Sequence, residues 1–233
     1  MYSHLLTELA AIGLGPKVIT VTYADSVPDD VEKFEGSEPS GCSFWRLAAA
    51  GSVFYTEPAD HYNCPVGSFT HNVPLPAERE RDVPGFLGLE GGFEYSELDD
   101  LPDIFRLPQT PRFIIYAPLQ KTAWEPSVVV IGGTPRAVGL VMEAAMRAGI
   151  CSSLPMLGRP TCMALPAAMA SGTISSGACI GNRIYTSLGD DEMYIALPGT
   201  ALAKVTAELP IILSAASKLE AYHKSKRQTL ASQ

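Results

Sequence analysis

The segment that most constrains the fold is a strand, a turn and a helix in direct succession at residues 127–149, SVVVIGGTPRAVGLVMEAAMRAG. Its unbroken run of Val and Ile is typical of a strand that is buried on both faces. Thr134 fits the N-cap of the helix, Pro135 fits its first position, and Gly149 ends it. The pattern predicts a strand-turn-helix unit in which the helix packs on a sheet.

Similar patterns along the chain predict the remaining elements. Strands are predicted at residues 17–24, 52–58, 112–119 and 192–198, helices at 3–12, 43–50, 166–170, 199–210 and 209–228, and a glycine turn entering a strand at 178–186. Together they predict an α/β (or α+β) fold, in which residues 1–233 form a single domain with a mixed sheet flanked by helices. Residues 76–111 are rich in Pro, Gly and acidic residues, and are predicted to form an irregular connection or a lid.

Charge and composition exclude several classes of protein. With 233 residues, of which 46% are hydrophobic, the chain is long enough for one sizeable core. Its net charge of -8 argues against a nucleic-acid or anionic-membrane partner, since both need clustered Lys and Arg. Only 18% of the residues are charged and the mean hydropathy is positive, which predicts a homo-oligomer, most simply a dimer.

The first residues predict a cytoplasmic protein. The opening MYSHLLTELAAIGLG has no basic segment and carries Glu8 within its apolar run, so it is expected to form a helix and not a secretion signal. No apolar run reaches the length of a membrane span. In the reducing cytosol, cysteines more often bind metals or react than form structural disulfides.

Four of the five cysteines stand at turns bounded by Gly or Pro: Cys42, Cys64, Cys162 and Cys179. A cysteine on such a turn can bring its sulfur to a metal without burying an unpaired thiolate. We therefore expect these four side chains to converge on one metal or cofactor site. Cys42 begins a predicted helix, where the dipole lowers the pKa of a thiol. Cys151, which follows the helix ending at Gly149, is expected to be a small buried residue.

The cysteine spacing itself matches no compact zinc or ferredoxin signature, because the chain has no CxxC pair. The alternative is that the four cysteines are small buried residues near turns. His61, three residues before Cys64, and His71 are candidates for a mixed Cys/His site or for catalysis. Either histidine could equally be an exposed loop residue.

A second candidate site lies at the turn before the central helix. Gly132 and Gly133 could allow helix N-terminal amides to approach an anion. The positive charge of Arg136 opposes the helix dipole there, and a bound carboxylate or phosphate would compensate that charge well. The alternative is that Arg136 forms a surface salt bridge. If the strands are parallel, Arg136 and Arg183 could clamp a small-molecule acid in a crevice shared with Cys42.

Several segments in order resemble the bacterial and archaeal family called domain of unknown function 169. They are CSFWRLAAAG, HYNCPVG, YAPL, VVVIGGTPRAVGLVMEAA, GRPTC, CIGNR and DDEMYIALP, which cover nearly the whole chain. The resemblance implies that the four cysteines share a site and that Cys179, Gly181 and Arg183 form a CxGxR element, with Arg183 a candidate catalytic residue. The family has no established activity, so the resemblance implies fold and site better than reaction.

The predicted function is a cysteine-ligated iron-sulfur protein, with a [4Fe-4S] cluster on the four thiolates and a redox or small-molecule role that involves a redox partner. The alternative is a small-ligand-binding or zinc-stabilised structural module without catalytic activity. Whether the chain is an enzyme stays open.

Overall fold

A computed structural model describes residues 2–83, 104–151, 153 and 160–231. Its strands are β1 Val18–Ala24, β2 Phe54–Thr56, β3 Phe113–Pro118, β4 Val128–Gly133, β5 Ser175–Gly177 and β6 Met193–Pro198. Its α-helices are α1 Ser3–Ala11, α2 Gly41–Ala49, α3 Pro65–Thr70, α4 Pro135–Arg147, α5 Ala164–Ser171, α6 Ile180–Thr186 and α7 Leu202–Ala231.

The strands form one sheet in the order β2-β3-β1-β4-β6-β5. Every ladder in it is antiparallel, with Val21 of β1 opposite Tyr116 on one side and Val128 on the other. A single parallel bridge joins Lys33 to Tyr55 beside the β2 edge. The predicted fold class, α/β or α+β with a sheet flanked by helices, is confirmed. The antiparallel ladders place it on the α+β side of that prediction.

The central strands send alternate side chains to two separate cores. Val129 and Ile131 pack with α1, α4 and α7 in a core made mostly of Leu, Val, Ile and Ala, which we call the aliphatic face. Val128 and Val130 pack with α2 and α5 in a core that contains Phe44, Trp45 and Tyr116. We call this second side the cysteine face, because it carries the candidate site.

Helix α6 differs from the strand predicted at residues 178–186. The β-branched and aromatic residues there favoured a strand, but strand propensity is weak and depends on context. The Sγ of Cys179 accepts a hydrogen bond from the backbone N–H of Asn182 at 3.3 Å and so caps the helix. The local cap therefore outweighs the side-chain preference.

Helix α7 is continuous where two helices were predicted. It runs through Pro210, whose ring removes one backbone donor. Leu202, Val205 and Leu209 are buried against the aliphatic face and hold the first half in place. By length and composition, residues 199–230 could cross a membrane, and 28% of the most apolar stretch is buried in the fold. A single helix of this kind is weak support for a span.

The predicted lid is described only at its ends, since residues 84–103 lie outside the described part of the chain. At the near end, Ala77–Arg79 form a single 3₁₀ turn. At the far end, the backbone N–H of Leu107 donates to the carbonyl of Thr70 at 2.9 Å, and the Leu107 side chain is buried. This contact fastens the end of the segment to α3.

Candidate functional site

Cys42 lies in the first turn of α2, on the cysteine face. Ser40 caps this helix, because its Oγ accepts the backbone N–H of Cys42 at 3.3 Å. The Cys42 side chain is buried, and burial raises the pKa of its thiol to about 12. The sequence-based expectation of a lowered pKa is therefore wrong, since the loss of water outweighs the helix terminus.

Cys64 is the N-cap residue of α3 and is only partly buried. Its Sγ accepts the backbone N–H of Gly67 at 3.3 Å and the hydroxyl of Ser40 at 3.6 Å. A Cβ at position 67 would lie 2.9 Å from this sulfur, which explains why the sequence has Gly there. Ser40 contacts both cysteines and links Cys64 to the first turn of α2.

The other two cysteines reach the site from the far end of the chain. Cys162 is buried in the 3₁₀ turn Thr161–Met163 and packs beside Val66 of α3. Cys179 caps α6 and is partly buried. Helix α6 packs against α2, so both segments meet the elements that carry Cys42 and Cys64.

The four thiols lie within electrostatic range of one another. Apart from burial, the nearby charge of Cys64 raises the pKa of Cys42, and that of Cys179 does so to a smaller extent. Burial raises the pKa of Cys162 well above its ordinary value, with further increases from Cys42, Cys64 and Cys179. Negative charge on the neighbouring thiols therefore disfavours ionisation of Cys42 and Cys162.

The two histidines line the same side of the site as stacked rings whose centroids are 5.6 Å apart. Both are almost fully buried, so neither is the exposed loop residue that the sequence allowed. Burial lowers the pKa of His61 to about 3 and that of His71 to about 4. Both rings are therefore neutral near pH 7, which removes the role of a charged proton donor.

Hydrogen bonds fix the tautomer of His71. Its Nδ1 lies 2.8 Å from the carbonyl oxygen of Gly67, so Nδ1 must carry the proton and donate. Its Nε2 then accepts the hydroxyl of Tyr23 at 3.2 Å. Tyr23 also lies near Cys162, whose charge adds to the burial that raises the pKa of this phenol. His71 is therefore held by protein groups on both nitrogens.

One ring nitrogen of His61 has no hydrogen-bond partner. The other, Nε2, lies 2.8 Å from the Oγ1 of Thr56, and that hydroxyl also reaches the carbonyl oxygen of Ile114 at 3.4 Å. If Thr56 donates to this carbonyl, Nε2 carries the ring proton and Nδ1 is a bare acceptor. Nδ1 is buried without a partner, and it faces the position that a Cβ on Gly41 would occupy, 3.6 Å away.

Two more buried polar atoms near the cysteines lack a partner, the Oγ1 of Thr161 and the Nδ2 of Asn182. The amide of Asn182 lies close enough to Cys42 to lower its pKa, although Nδ2 makes no hydrogen bond of good geometry. Unsatisfied polar atoms are costly inside a protein, so each one calls for a partner such as a bound water, an ion or a ligand. The cysteine face thus combines four thiols with unused hydrogen-bonding capacity.

The iron-sulfur or zinc function predicted from the sequence is wrong. Over the described ranges, no group of three or more His, Cys, Asp or Glu side chains is arranged so that it could hold a metal ion. The sulfurs of Cys64 and Cys179 instead cap helices, where they accept the backbone N–H groups of Gly67 and Asn182. Mutual electrostatic influence among thiols does not amount to a coordination geometry.

Arg136 lies far from this site in the fold. Helix α4 packs in the aliphatic face and α2 in the cysteine face, so Arg136 and Cys42 are on opposite sides of the sheet. Arg136 instead pairs with Glu220 of α7 at 3.0 Å, which is the salt bridge that the sequence left as an alternative. The shared crevice expected from parallel strands does not form.

The remaining candidates have structural roles. A Cβ on Gly132 would lie 2.6 Å from the ring of Tyr194, and one on Gly133 would lie 2.3 Å from Leu14. Close packing therefore accounts for both glycines. The guanidinium of Arg183 donates to the carbonyl of Gly189 at 2.7 Å. Their assignment to ligand binding or catalysis stays a prediction.

Cys151 lies apart from the other four cysteines and packs against the aliphatic face, where it is partly buried and not the fully buried residue that was expected. Sequence reasoning missed the polar residues that surround the other four. Ser40, Thr70, Asn182 and Tyr23 have no distinctive spacing in the chain. One signal was available, because Ser40 directly precedes the helix that bears Cys42 and so has the position of an N-cap.

The comparisons with known proteins agree with the resemblance seen in the sequence. A family model described as DUF169, an uncharacterised ArCR family, matches residues 9–208. No curated protein and no solved structure matches the chain.

Proposed function

We infer that this chain, which belongs to the DUF169 family, is a thiol–disulfide redox protein whose reactive pair is Cys64 and Cys42. The observation that carries the proposal is the position of Ser40 between the two residues. Its Oγ accepts the N–H of Cys42 at 3.3 Å and donates to the sulfur of Cys64 at 3.6 Å. A partly exposed thiol thus lies next to a buried one.

The two cysteines differ in the way that such a pair requires. Cys64 is partly exposed, and two donors, the hydroxyl of Ser40 and the N–H of Gly67, point at its sulfur. Donors of this kind stabilise negative charge on sulfur, so Cys64 is the attacking residue. Cys42 is buried, and its pKa of about 12 keeps it protonated until a disulfide forms beside it. Cys42 is therefore the resolving residue.

The reaction needs a disulfide as its second reactant, either a small molecule or a partner protein. The Cys64 thiolate attacks one sulfur, the S–S bond of the substrate breaks, and the leaving thiolate takes up a proton. The sulfur of Cys42, on losing its proton, then attacks Cys64 and releases the second substrate thiol. Two protein thiols and one substrate disulfide become one protein disulfide and two substrate thiols, with two electrons transferred.

His61 lies beside this step as a neutral acceptor, and the proton that Cys42 loses goes to the second substrate thiolate as it leaves Cys64. The Nδ1 of His61 is buried, lacks a hydrogen-bond partner and lies beside Gly41, the residue before Cys42. Burial keeps Cys42 as a thiol, and negative charge on Cys64 or Cys179 would disfavour a second thiolate beside it. In the reduced protein, Cys42 therefore stays a thiol until Cys64 has reacted with a substrate disulfide.

This reaction suits a reducing compartment, so we place the protein in the cytoplasm, with a disulfide-bearing redox partner. The small-molecule acid expected from Arg136 and Arg183 stays a prediction that no contact among the described residues supports.

Oxidation of the reduced protein by oxidised glutathione tests the proposal. We expect a disulfide between Cys42 and Cys64, with two equivalents of reduced glutathione released, as measured by alkylation and peptide mass mapping. Cys42→Ser should accumulate a mixed disulfide on Cys64, and Cys64→Ser should not react at this site. Serine also caps helices well, so the Cys64→Ser variant should fold.

Cys151→Ser is the matched control, because Cys151 belongs to the opposite core. It should react as the wild type does. Bridging of a different pair, or full retention of all thiols under conditions that oxidise an unfolded control, would overturn the assignment.

A further inference from the structure

The second half of α7 leaves the body of the protein. Leu202, Val205 and Leu209 in its first half are buried, but every side chain from Ser217 to Leu230 is exposed. Glu220 still pairs with Arg136 of α4, so the helix projects beyond that residue, and residues 221–230 extend for about 15 Å at ~1.5 Å of rise per residue. The family match ends at residue 208, before this projection begins. We call residues 211–230 the projecting helix.

The projecting helix carries an uncovered apolar row. Ile211, Ala215, Leu219 and Tyr222 are spaced by four, four and three residues, which places them along one side. Ile211 is 49% exposed, and Leu219 and Tyr222 are each 58% exposed. Rows with this spacing are those by which helices dock into apolar grooves.

The charge of the projecting helix is opposite to that of the whole chain. Residues 214–233 carry four basic side chains and one acidic one, although the chain has a net charge of -8. Lys218 and Lys226 follow the apolar row at helical spacing from Tyr222. Two such helices would repel each other, which argues against a coiled coil between them. An acidic groove is the better partner.

A groove of that kind lies at the β2 edge of the sheet. It has a volume of about 740 Å³ and is lined by residues 31–35, Leu47 and residues 52–55. The half-buried Phe34 and Leu47 supply apolar surface over the buried Phe54. The exposed Glu32 and Glu35 supply negative charge, while the positive charge of Lys33 between them is paired with Glu57. The backbone of Tyr55 bonds to Phe34 and Glu32, so the groove has a fixed wall.

We propose that the projecting helix of one copy docks into this groove of a second copy. Leu219 and Tyr222 would enter the apolar part, and Lys218 and Lys226 would face Glu32 and Glu35. Exchange of the helix in both directions closes a two-fold dimer, as homo-oligomers generally prefer. The homo-oligomer expected from composition thereby gains a defined interface, independent of the thiol chemistry.

Charge reversal and its rescue test this interface on the full chain. We expect the wild type to sediment as a dimer at micromolar concentration. Lys218→Glu with Lys226→Glu should weaken the dimer by at least about tenfold in Kd, and Glu32→Lys with Glu35→Lys should do the same. Combining all four reversals should restore much of the affinity. Ser217→Glu, on the opposite side of the helix, should leave the dimer intact.

These substitutions are at exposed positions, so the variants should keep the circular dichroism of the wild type. A wild type that is monomeric at these concentrations would overturn the proposal. It would also be overturned if both double variants dimerised as strongly as the wild type, or if the quadruple variant dimerised as weakly as the double variants. Leu219→Ser, which removes the apolar anchor without changing charge, should weaken the dimer also in high salt.

Discussion

The two faces of the sheet are filled with different kinds of side chain. On the aliphatic face, α1, α4 and α7 pack Leu, Val, Ile and Ala against β4 and β6. On the cysteine face, the aromatic core around Phe44 borders buried His61, His71 and Thr70, together with the cysteines. One sheet therefore separates a mainly aliphatic core from one that borders both buried histidines and four of the five cysteines.

This contrast suggests a division of tasks. Apolar burial stabilises the fold without further requirements, whereas buried polar groups stabilise it only when their hydrogen bonds are met. His61, Thr161 and Asn182 on the cysteine face retain unmet bonds. We infer that the aliphatic face contributes most of the stability, and that the cysteine face contributes less because its polar groups serve function.

The largest effect should come from a cavity in the aliphatic face. Leu209 is fully buried, so Leu209→Ala should lower the free energy of unfolding by about 2–5 kcal/mol in urea denaturation. Disulfide formation between Cys42 and Cys64 should keep its wild-type rate in the fraction that remains folded. A selective loss of thiol reactivity would show that the two faces are coupled.

A lower pH should reduce the free energy of unfolding through the buried histidines of the cysteine face. The pKa values of His61 and His71 are lowered to about 3 and 4, whereas the unfolded chain binds these protons near pH 6.5. The unfolding free energy should therefore fall below pH 6.5 by about 1.4 kcal/mol per pH unit for each histidine, until the pH nears their native pKa values.

Urea denaturation at pH 7 and pH 5 measures this slope. His61→Gln should remove roughly half of it, because one of the two buried histidines is gone. His223→Gln, at an exposed position on α7, is the control and should leave the slope unchanged. An equal slope in the wild type and His61→Gln would contradict the assignment.

A smaller effect is expected at Gly67, where an added Cβ would lie 2.9 Å from the Cys64 sulfur. Gly67→Ala should displace that sulfur from Ser40, cost about 1–3 kcal/mol and slow the attack on oxidised glutathione. Gly139→Ala in α4 is the control, because a Cβ there meets nothing within 4 Å. It should stabilise the protein by about 0.5–1 kcal/mol.

The smallest effect should be at the Arg136–Glu220 ion pair. Its side chains are 78% and 44% exposed, so Arg136→Ala should change the unfolding free energy by only about 0–1 kcal/mol. Thiol reactivity should not change. A loss as large as that of Leu209→Ala would mean that charge, and not apolar packing, holds α4 and α7 together.

Local sequence patterns were sufficient for much of the fold. The strand and helix at residues 127–149 were predicted because Thr134, Pro135 and the Val-Ile run act on their immediate neighbours. The predictions failed at α6 and at the junction of α7. A cysteine cap and the packing of buried leucines decided those elements, and neither is visible in propensity.

For the site, the sequence identified Cys42, Cys64, Cys162 and Cys179 as residues at turns and set Cys151 apart. It also placed both histidines beside them. It could not give their protonation, because the pKa of Cys42 and those of His61 and His71 follow from burial among residues distant in the chain. The predicted metal function failed because it depends on how the side chains are arranged in space, which the spacing of the cysteines along the chain does not give.

The amino-acid sequence by itself determined which residues form most strands and helices and which cysteines stand at their ends, since these depend on neighbours a few positions away. Only the tertiary structure decided that the strands run antiparallel, which places Arg136 and Cys42 on opposite faces. It also decided which thiols are shielded from water. Strand direction and desolvation arise from contacts between distant segments, and no local pattern encodes them.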